Sequence, residues 1–230
     1  MSLRLFGLLS ALLIACPAPA HAFEAWTMFD NRILVTEPGE IPGAPNHWRI
    51  YSQFRYAPVY SWIGQGLLRT GPIWNLHPNF QVATNLTNNL EQQSDKSYRH
   101  EVRVELEPTL SFEVGKLGIT DRTRIEKSWF GDGTGRFRLR NQLRLTYKPD
   151  GWPVRPYMSN EGFYIVGSGF SENRLQLGVT IPTADTDRMD LGYMMRTRDT
   201  SSGWDVGHIL TLTMLFGPER EPLIDGPHGG

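Results

Sequence analysis

Along most of the chain, apolar and polar side chains alternate one for one. Trp48, Ile50, Ser52, Phe54 and Tyr56 alternate with Arg49, Tyr51, Gln53 and Arg55. Tyr98, His100, Val102, Val104 and Leu106 alternate with Arg99, Glu101, Arg103 and Glu105. Phe137, Leu139, Leu143 and Leu145 alternate with Arg136, Arg138, Arg140, Gln142 and Arg144. The same pattern recurs in 174–181 and 189–193. In 209–216, Leu210, Leu212, Met214 and Phe216 form the apolar set. Successive side chains of a strand point to opposite faces, so each run predicts a strand with one apolar face.

The runs are about ten residues long and are separated by turn-rich pieces, as in membrane barrels. Asp132-Gly133-Thr134-Gly135, Asp150-Gly151 and Ser201-Ser202-Gly203 are such pieces. Weaker segments lie at 24–36, 59–70, 73–84, 111–117, 119–130 and 154–165. Together they predict an all-β chain, a closed antiparallel transmembrane β-barrel of about twelve strands (ten to fourteen), an even number being usual for one bacterial chain. The segment 85–97, polar and rich in Asn and Gln, is expected to be a long extracellular loop. A soluble β-sandwich also alternates, but its strands are more often five or six residues long. Trp48, Tyr56, Trp129, Phe137, Tyr147, Tyr193 and Phe216 sit near segment ends, where a membrane barrel carries its aromatic girdles.

The N-terminus adds an address. Met1 to Arg4 is a short basic region, Leu5 to Ala15 is apolar, and Ala20-His21-Ala22 fits a cleavage site, so 1–22 is expected to be a signal peptide. A competing reading takes Leu13-Ile14-Ala15-Cys16 as a lipobox, which would make Cys16 a lipid anchor of an acylated lipoprotein. Cleavage after Ala22 leaves a barrel domain over 23–216 and a tail, 217–230, whose three prolines and four glycines predict disorder. The expected location is the cell outer membrane. Expected partners are outer-membrane lipids and lipopolysaccharide, the barrel-assembly machinery during biogenesis and, for an open lumen, small solutes.

Composition then removes several functions. Cys16 is the one cysteine, so the mature part has neither a disulfide framework nor a thiolate metal site. With 23 Lys and Arg against 24 Asp and Glu, the balance gives no footprint for nucleic acid. Metal-ligand spacings are absent, and no cofactor is expected. Asn85-Leu86-Thr87 has the form of a glycosylation acceptor but is read as accidental.

Candidate chemistry lies on the polar faces. If the apolar faces meet lipid, then Glu101, Arg103, Glu105, Arg122, Arg124, Glu126, Arg138, Arg140, Arg144, Glu161, Arg174 and Asp190 point inward. A charge on the lipid face costs about 2–4 kcal/mol near the midplane. Arginine forks along a wall suit carboxylate or phosphate groups. Two outcomes are open: a narrow channel for small, anionic solutes, or a plug of arginine–glutamate pairs, which the near-balance of these twelve residues favours. A third reading is a lipid-modifying enzyme of the acyl-hydrolase type. It would use His100 or His208 with Ser97, Ser159 and Glu161. No fixed Ser–His spacing supports it, and no catalytic residue is assigned.

Several short pieces resemble a known family. They are Asn173-Arg174-Leu175-Gln176-Leu177-Gly178-Val179, Met189-Asp190-Leu191-Gly192-Tyr193-Met194, Arg122-Thr123-Arg124-Ile125-Glu126, Arg138-Leu139-Arg140 and Pro156-Tyr157 with Ser159-Asn160-Glu161. In this order they resemble domain of unknown function 2490, an uncharacterised Gram-negative family of outer-membrane barrels. The resemblance spans about Trp48 to Phe216. It implies a barrel and brings no assigned reaction or ligand.

Overall fold

The computed structural model describes residues 23–37, 40–57, 63–93, 95–183, 187–200 and 203–217. The leader with Cys16, and the tail after Gly217, lie outside the described residues. Eleven strands are described: β1 (Phe23–Leu34), β2 (His47–Tyr56), β3 (Ile63–His77), β4 (Phe80–Gln92), β5 (Tyr98–Val114), β6 (Leu117–Phe130), β7 (Gly135–Tyr147), β8 (Arg155–Ile165), β9 (Gly169–Pro182), β10 (Arg188–Thr200) and β11 (Gly203–Phe216). Each pairs with the next in sequence, and β1 closes on β11 to complete a barrel. The all-β closed-barrel expectation therefore holds.

The strand count is odd, where an even one was expected. Two expected segments, 98–106 and 111–117, are joined in one long β5 that runs through Pro108. Proline reads as a break because it lacks a ladder donor. Here the ladder with β4 continues past it, Pro108 standing opposite Val82. The expected loop at 85–97 is also corrected. Asn85 to Gln92 belong to β4, with Asn85, Thr87 and Asn89 buried inside the wall. Polar side chains suggested solvent, but in a barrel with a polar interior they are the inward half of a strand. Burial of Asn85 also removes it as a glycosylation acceptor.

Oddness forces the closure. Consecutive antiparallel hairpins alternate direction, so the first and eleventh strands must run the same way. β1 and β11 are parallel, from Phe23 opposite His208 to Asn31 opposite Phe216. The start of β1 and the end of β11 therefore sit at opposite rims. The rim at which β1 starts is the first rim below, and the other is the second.

The hairpin turns follow local chemistry. Between β6 and β7, Asp132 accepts hydrogen bonds from the Thr134 hydroxyl (2.5 Å) and backbone N (2.9 Å). These bonds, the hydroxyl's first, hold the Asp132 carboxyl below the usual carboxylate range. Gly133 takes the left-handed φ of +81° that this turn needs.

The barrel is inverted relative to a water-soluble domain. Among the described buried residues, 24 are polar or charged and 10 are apolar. Leu68, Leu86, Val104, Leu110, Leu143 and Leu177 are exposed, all on the outer face. The small apolar cluster of Trp26, Met194 and Ile209 lies inside, against the β1–β11 seam.

Candidate functional site

Period-two alternation sends one side chain in two to the interior, and antiparallel pairing stacks those side chains in rows across strands. One cavity of about 930 Å³ runs through the barrel. Its lining reaches Gln93 and Arg99 at the first rim and Lys148 and Asp187 at the second. A wall of thirteen-residue tilted strands is about 30 Å tall.

Ten of the twelve inward residues named from the sequence line this cavity. They are Glu101, Arg103, Arg122, Arg124, Arg138, Arg140, Arg144, Glu161, Arg174 and Asp190. The other two, Glu105 and Glu126, lie behind the arginines and are 1% and 0% exposed. They act as counter-charges inside the wall.

The charges form a continuous lattice. Glu126 on β6 holds Arg138 Nε (2.6 Å) and Arg140 Nη1 (2.8 Å), both on β7. Arg103 and Arg124 approach the same carboxylate at 3.6 and 3.9 Å. Glu105 pairs with Arg69 (2.9 Å) and Arg103 (3.3 Å). Glu107 is gripped by Arg49 (2.8 Å) and, closely, by Arg124. Glu161 takes Arg140 at 2.8 Å and Arg174 at 3.6 Å. Glu172 pairs with Arg174 (2.5 Å) and Arg198 (3.0 Å). Asp190 pairs with Arg144 (2.7 Å) and accepts the Thr180 hydroxyl (2.6 Å). Shared carboxylates of this kind cost less side-chain entropy per pair than isolated ones, because each side chain is already ordered.

Aromatic rings support the same arginines. Phe163, 1% exposed, has Arg140 and Arg174 over its ring at 4.5 and 4.4 Å. Arg144 lies 3.8 Å over Tyr157. Cation–π attraction of this kind strengthens when the pair is shielded from water.

The balance of charge differs from the sequence reading. The cavity wall carries seventeen cationic side chains against ten carboxylates. Adding Glu105 and Glu126 leaves five positive charges in excess. The twelve residues selected from the sequence looked nearly neutral because the selection missed Arg32, Arg49, Arg55, Arg69, Arg99 and Arg198, among others. Arg49 and Arg55 stood on the polar side of the Trp48 run, a usable signal. Arg69 sits in a strand whose alternation is interrupted by Gly71-Pro72, and gave none.

The residues proposed for lipid hydrolysis are not brought together. His100 is on the outer face, bonded to Asn88 Oδ1 at 2.6 Å, and His208 Nδ1 is bonded to the Tyr193 hydroxyl at 2.5 Å. Ser159 and Glu161 are buried on the inner side of the wall. Ser97 is in the β4–β5 turn, bonded to Asp95. Among the described residues no cluster of His, Cys, Asp and Glu could hold a metal ion.

Fold and site together define a class: a closed β-barrel with an apolar outer face and an arginine-rich interior. The chain belongs to a family of proteins of unknown function, DUF2490, whose model matches residues 23–207. An uncharacterised protein of Methylorubrum extorquens is 26% identical over 137 residues, covering 53% of this chain and 60% of that protein. The chain thus spans less than two thirds of that relative's length. No solved structure matches the chain.

Three pieces that carried the family resemblance meet at one point inside the wall. Gly178 on β9 and Gly192 on β10 are directly opposite each other. A Cβ on Gly178 would stand 2.7 Å from the Tyr157 ring, and one on Gly192 2.6 Å from the Tyr157 hydroxyl. Gln176 donates to that hydroxyl at 2.8 Å and to Thr211 Oγ1 at 2.7 Å. The glycines therefore make room for the ring on which Arg144 stacks.

Proposed function

We propose that the chain is an outer-membrane β-barrel whose interior holds or passes small anionic solutes. The carrying observation is the excess of five positive charges along a cavity lined from rim to rim. In a low-dielectric wall such an excess is relieved by anions from solution.

The membrane part of the reading is supported by the outer face. Exposed Leu, Ile, Val and aromatic side chains occur on strands right around the barrel. Each large apolar side chain withdrawn from water contributes about 1.5–3 kcal/mol. Tyr56, Tyr98, Trp129, Phe137, Tyr164 and Trp204 lie exposed toward the first rim, and Trp48, Tyr147, Trp152 and Phe216 toward the second. Two such belts suit the two interfaces of a bilayer. Closure of the sheet leaves no unpaired edge to face lipid. Export on the 1–22 leader, assembly by the barrel machinery, and contact with lipopolysaccharide belong to this proposal.

A second reading, a sealed structural plug, is favoured by the lattice centred on Glu126, which ties Arg138 and Arg140 together. Reconstitution separates the two. Purified barrel in a planar bilayer should give small conductance steps with anions preferred over cations. Absence of conductance and of anion uptake in vesicles would leave the plug. Fractionation with inner membranes would remove the outer-membrane location, and recovery from the soluble periplasm would remove the membrane reading altogether.

A further inference from the structure

We infer that Arg55, seated on Trp26 at the first rim, is the primary binding site of the lumen for a small, singly charged carboxylate. The inference rests on the anionic-solute reading above and locates it.

Among the described residues, Arg55 is set apart from the lattice. Arg103, Arg124, Arg138, Arg140 and Arg174 each hold at least one carboxylate within ion-pair distance. Arg55 has none there. It stands directly opposite Trp26 on β1, with its guanidinium 3.8 Å over the indole. With the Gln53 amide turned so that its oxygen faces Arg55, that oxygen accepts from Nε at 2.7 Å and Nη2 at 3.3 Å. The ring fixes one face and the amide one edge. Nη1 and its two N–H donors are left uncommitted.

Two cavities meet at Arg55. Arg55 lines both the main cavity and a side pocket of about 70 Å³. The same pocket is lined by Arg196, Arg198, Glu24 and Glu91. Arg196 is occupied by Glu24 at 2.7 Å, and Arg198 by Glu172 at 3.0 Å. Both are neutralised by their own carboxylates, which leaves Arg55 as the cation of the pocket without an ion pair. Arg174 lies 4.9 Å from the same indole, on its way to Glu172. A buried cation whose neighbouring carboxylates, Glu91 among them, stay beyond ion-pair distance gains from an anion that comes closer.

Size and charge choose the ligand. The side pocket of about 70 Å³ admits the head of one small oxyanion. Glu91 on the pocket wall repels a second negative charge. A carboxylate with one charge, docked on the guanidinium fork, satisfies both conditions. Phosphate, with a second charge near neutral pH, meets Glu91 and binds less well.

The test is thermal unfolding of the detergent-solubilised full-length barrel, titrated with sodium acetate or inorganic phosphate at constant ionic strength. Loss of the heat-modifiable gel band reports unfolding. Acetate should raise the unfolding temperature saturably, and at lower concentration than phosphate. Arg55→Gln should weaken the acetate response by about tenfold or more, the scale of a lost charged hydrogen bond. Arg55→Lys should retain part of it, and Glu91→Gln should tighten it and bring phosphate level with acetate. Both Arg55 variants must run as heat-modifiable bands, and Glu91→Gln keeps the proposal testable if they do not. An unchanged acetate response in Arg55→Gln overturns the site while leaving an anion-selective lumen intact. Phosphate binding more tightly than acetate in the unmodified barrel overturns the carboxylate assignment. Loss of anion selectivity in bilayers by the unmodified protein defeats the underlying reading instead.

Discussion

Gly178 and Gly192 stand opposite each other on β9 and β10, and the space their missing side chains leave is filled by Tyr157. A methyl group on Gly178 would also come within 2.3 Å of the Leu191 carbonyl oxygen, which is backbone and cannot swing away. On Gly192 it would meet the side-chain ends of Gln176, Tyr157 and Thr211. Gly178→Ala is therefore expected to destabilise more than Gly192→Ala, by about 1–3 kcal/mol for overpacking. Urea unfolding of the two variants in lipid vesicles checks the order. Equal, negligible effects would mean that Tyr157 packs elsewhere.

Glu126 and Arg138 are unequal partners. Glu126 serves Arg138 and Arg140 by hydrogen bonds and faces Arg103 and Arg124 at longer range. Removing its charge takes from Arg138 its one carboxylate among the described residues and leaves Arg140, Arg103 and Arg124 each with a partner fewer. Glu126→Gln should cost about 3–5 kcal/mol, and Arg138→Gln, which leaves Glu126 three arginines, about 1–2 kcal/mol. The reverse order in the same unfolding assay would contradict the lattice described above.

Arg138 and Arg140 also separate channel from plug. Neutralising both to glutamine removes two of the seventeen cationic side chains along the cavity. In a conducting barrel the ratio of anion to cation permeability should fall, read as a shift of the reversal potential in a salt gradient. In a sealed one no current appears before or after, and the change is confined to stability.

Parallel closure makes a topological prediction. β1 begins at one rim and β11 ends at the other. In a membrane, a tag placed before Phe23, after the leader, and a tag placed after Phe216 should be accessible from opposite sides. Protease or antibody labelling of intact against permeabilised cells decides it. Both tags on one side would require an even strand count, and hence a different closure.

The histidines allow a negative control. His100 and His208 face outward and are separated by the wall from Ser159 and Glu161. Alanine at either position should leave anion selectivity unchanged. Hydrolysis of added lipid that disappears with His100 would reinstate the enzymatic reading.

Much of this was legible in the chain. Alternation alone placed Glu101, Arg103 and Glu105 on one face and Val102, Val104 and Leu106 on the other, because side-chain direction in a strand is a local, period-two property. The apolar face, its aromatic ends and the turn at Asp132-Gly133-Thr134 were local as well. What the sequence left open depended on register and closure, which join residues far apart in the chain. Asn85 to Gln92 looked like a loop because polarity by itself does not distinguish water from the interior of a polar barrel. The segments 98–106 and 111–117 were read apart because the ladder with β4 that carries β5 through Pro108 is not visible in sequence. The odd strand number, and with it the parallel β1–β11 seam, emerged from pairing alone. The same pairing gave Arg138 and Arg140 their shared Glu126, brought Gly178, Gly192 and Tyr157 to one point, and set Arg55 on Trp26 without a carboxylate partner among the described residues. A strand's sequence determines which way each charge points; the charge it meets is decided by strands far along the chain, as Glu24 meets Arg196.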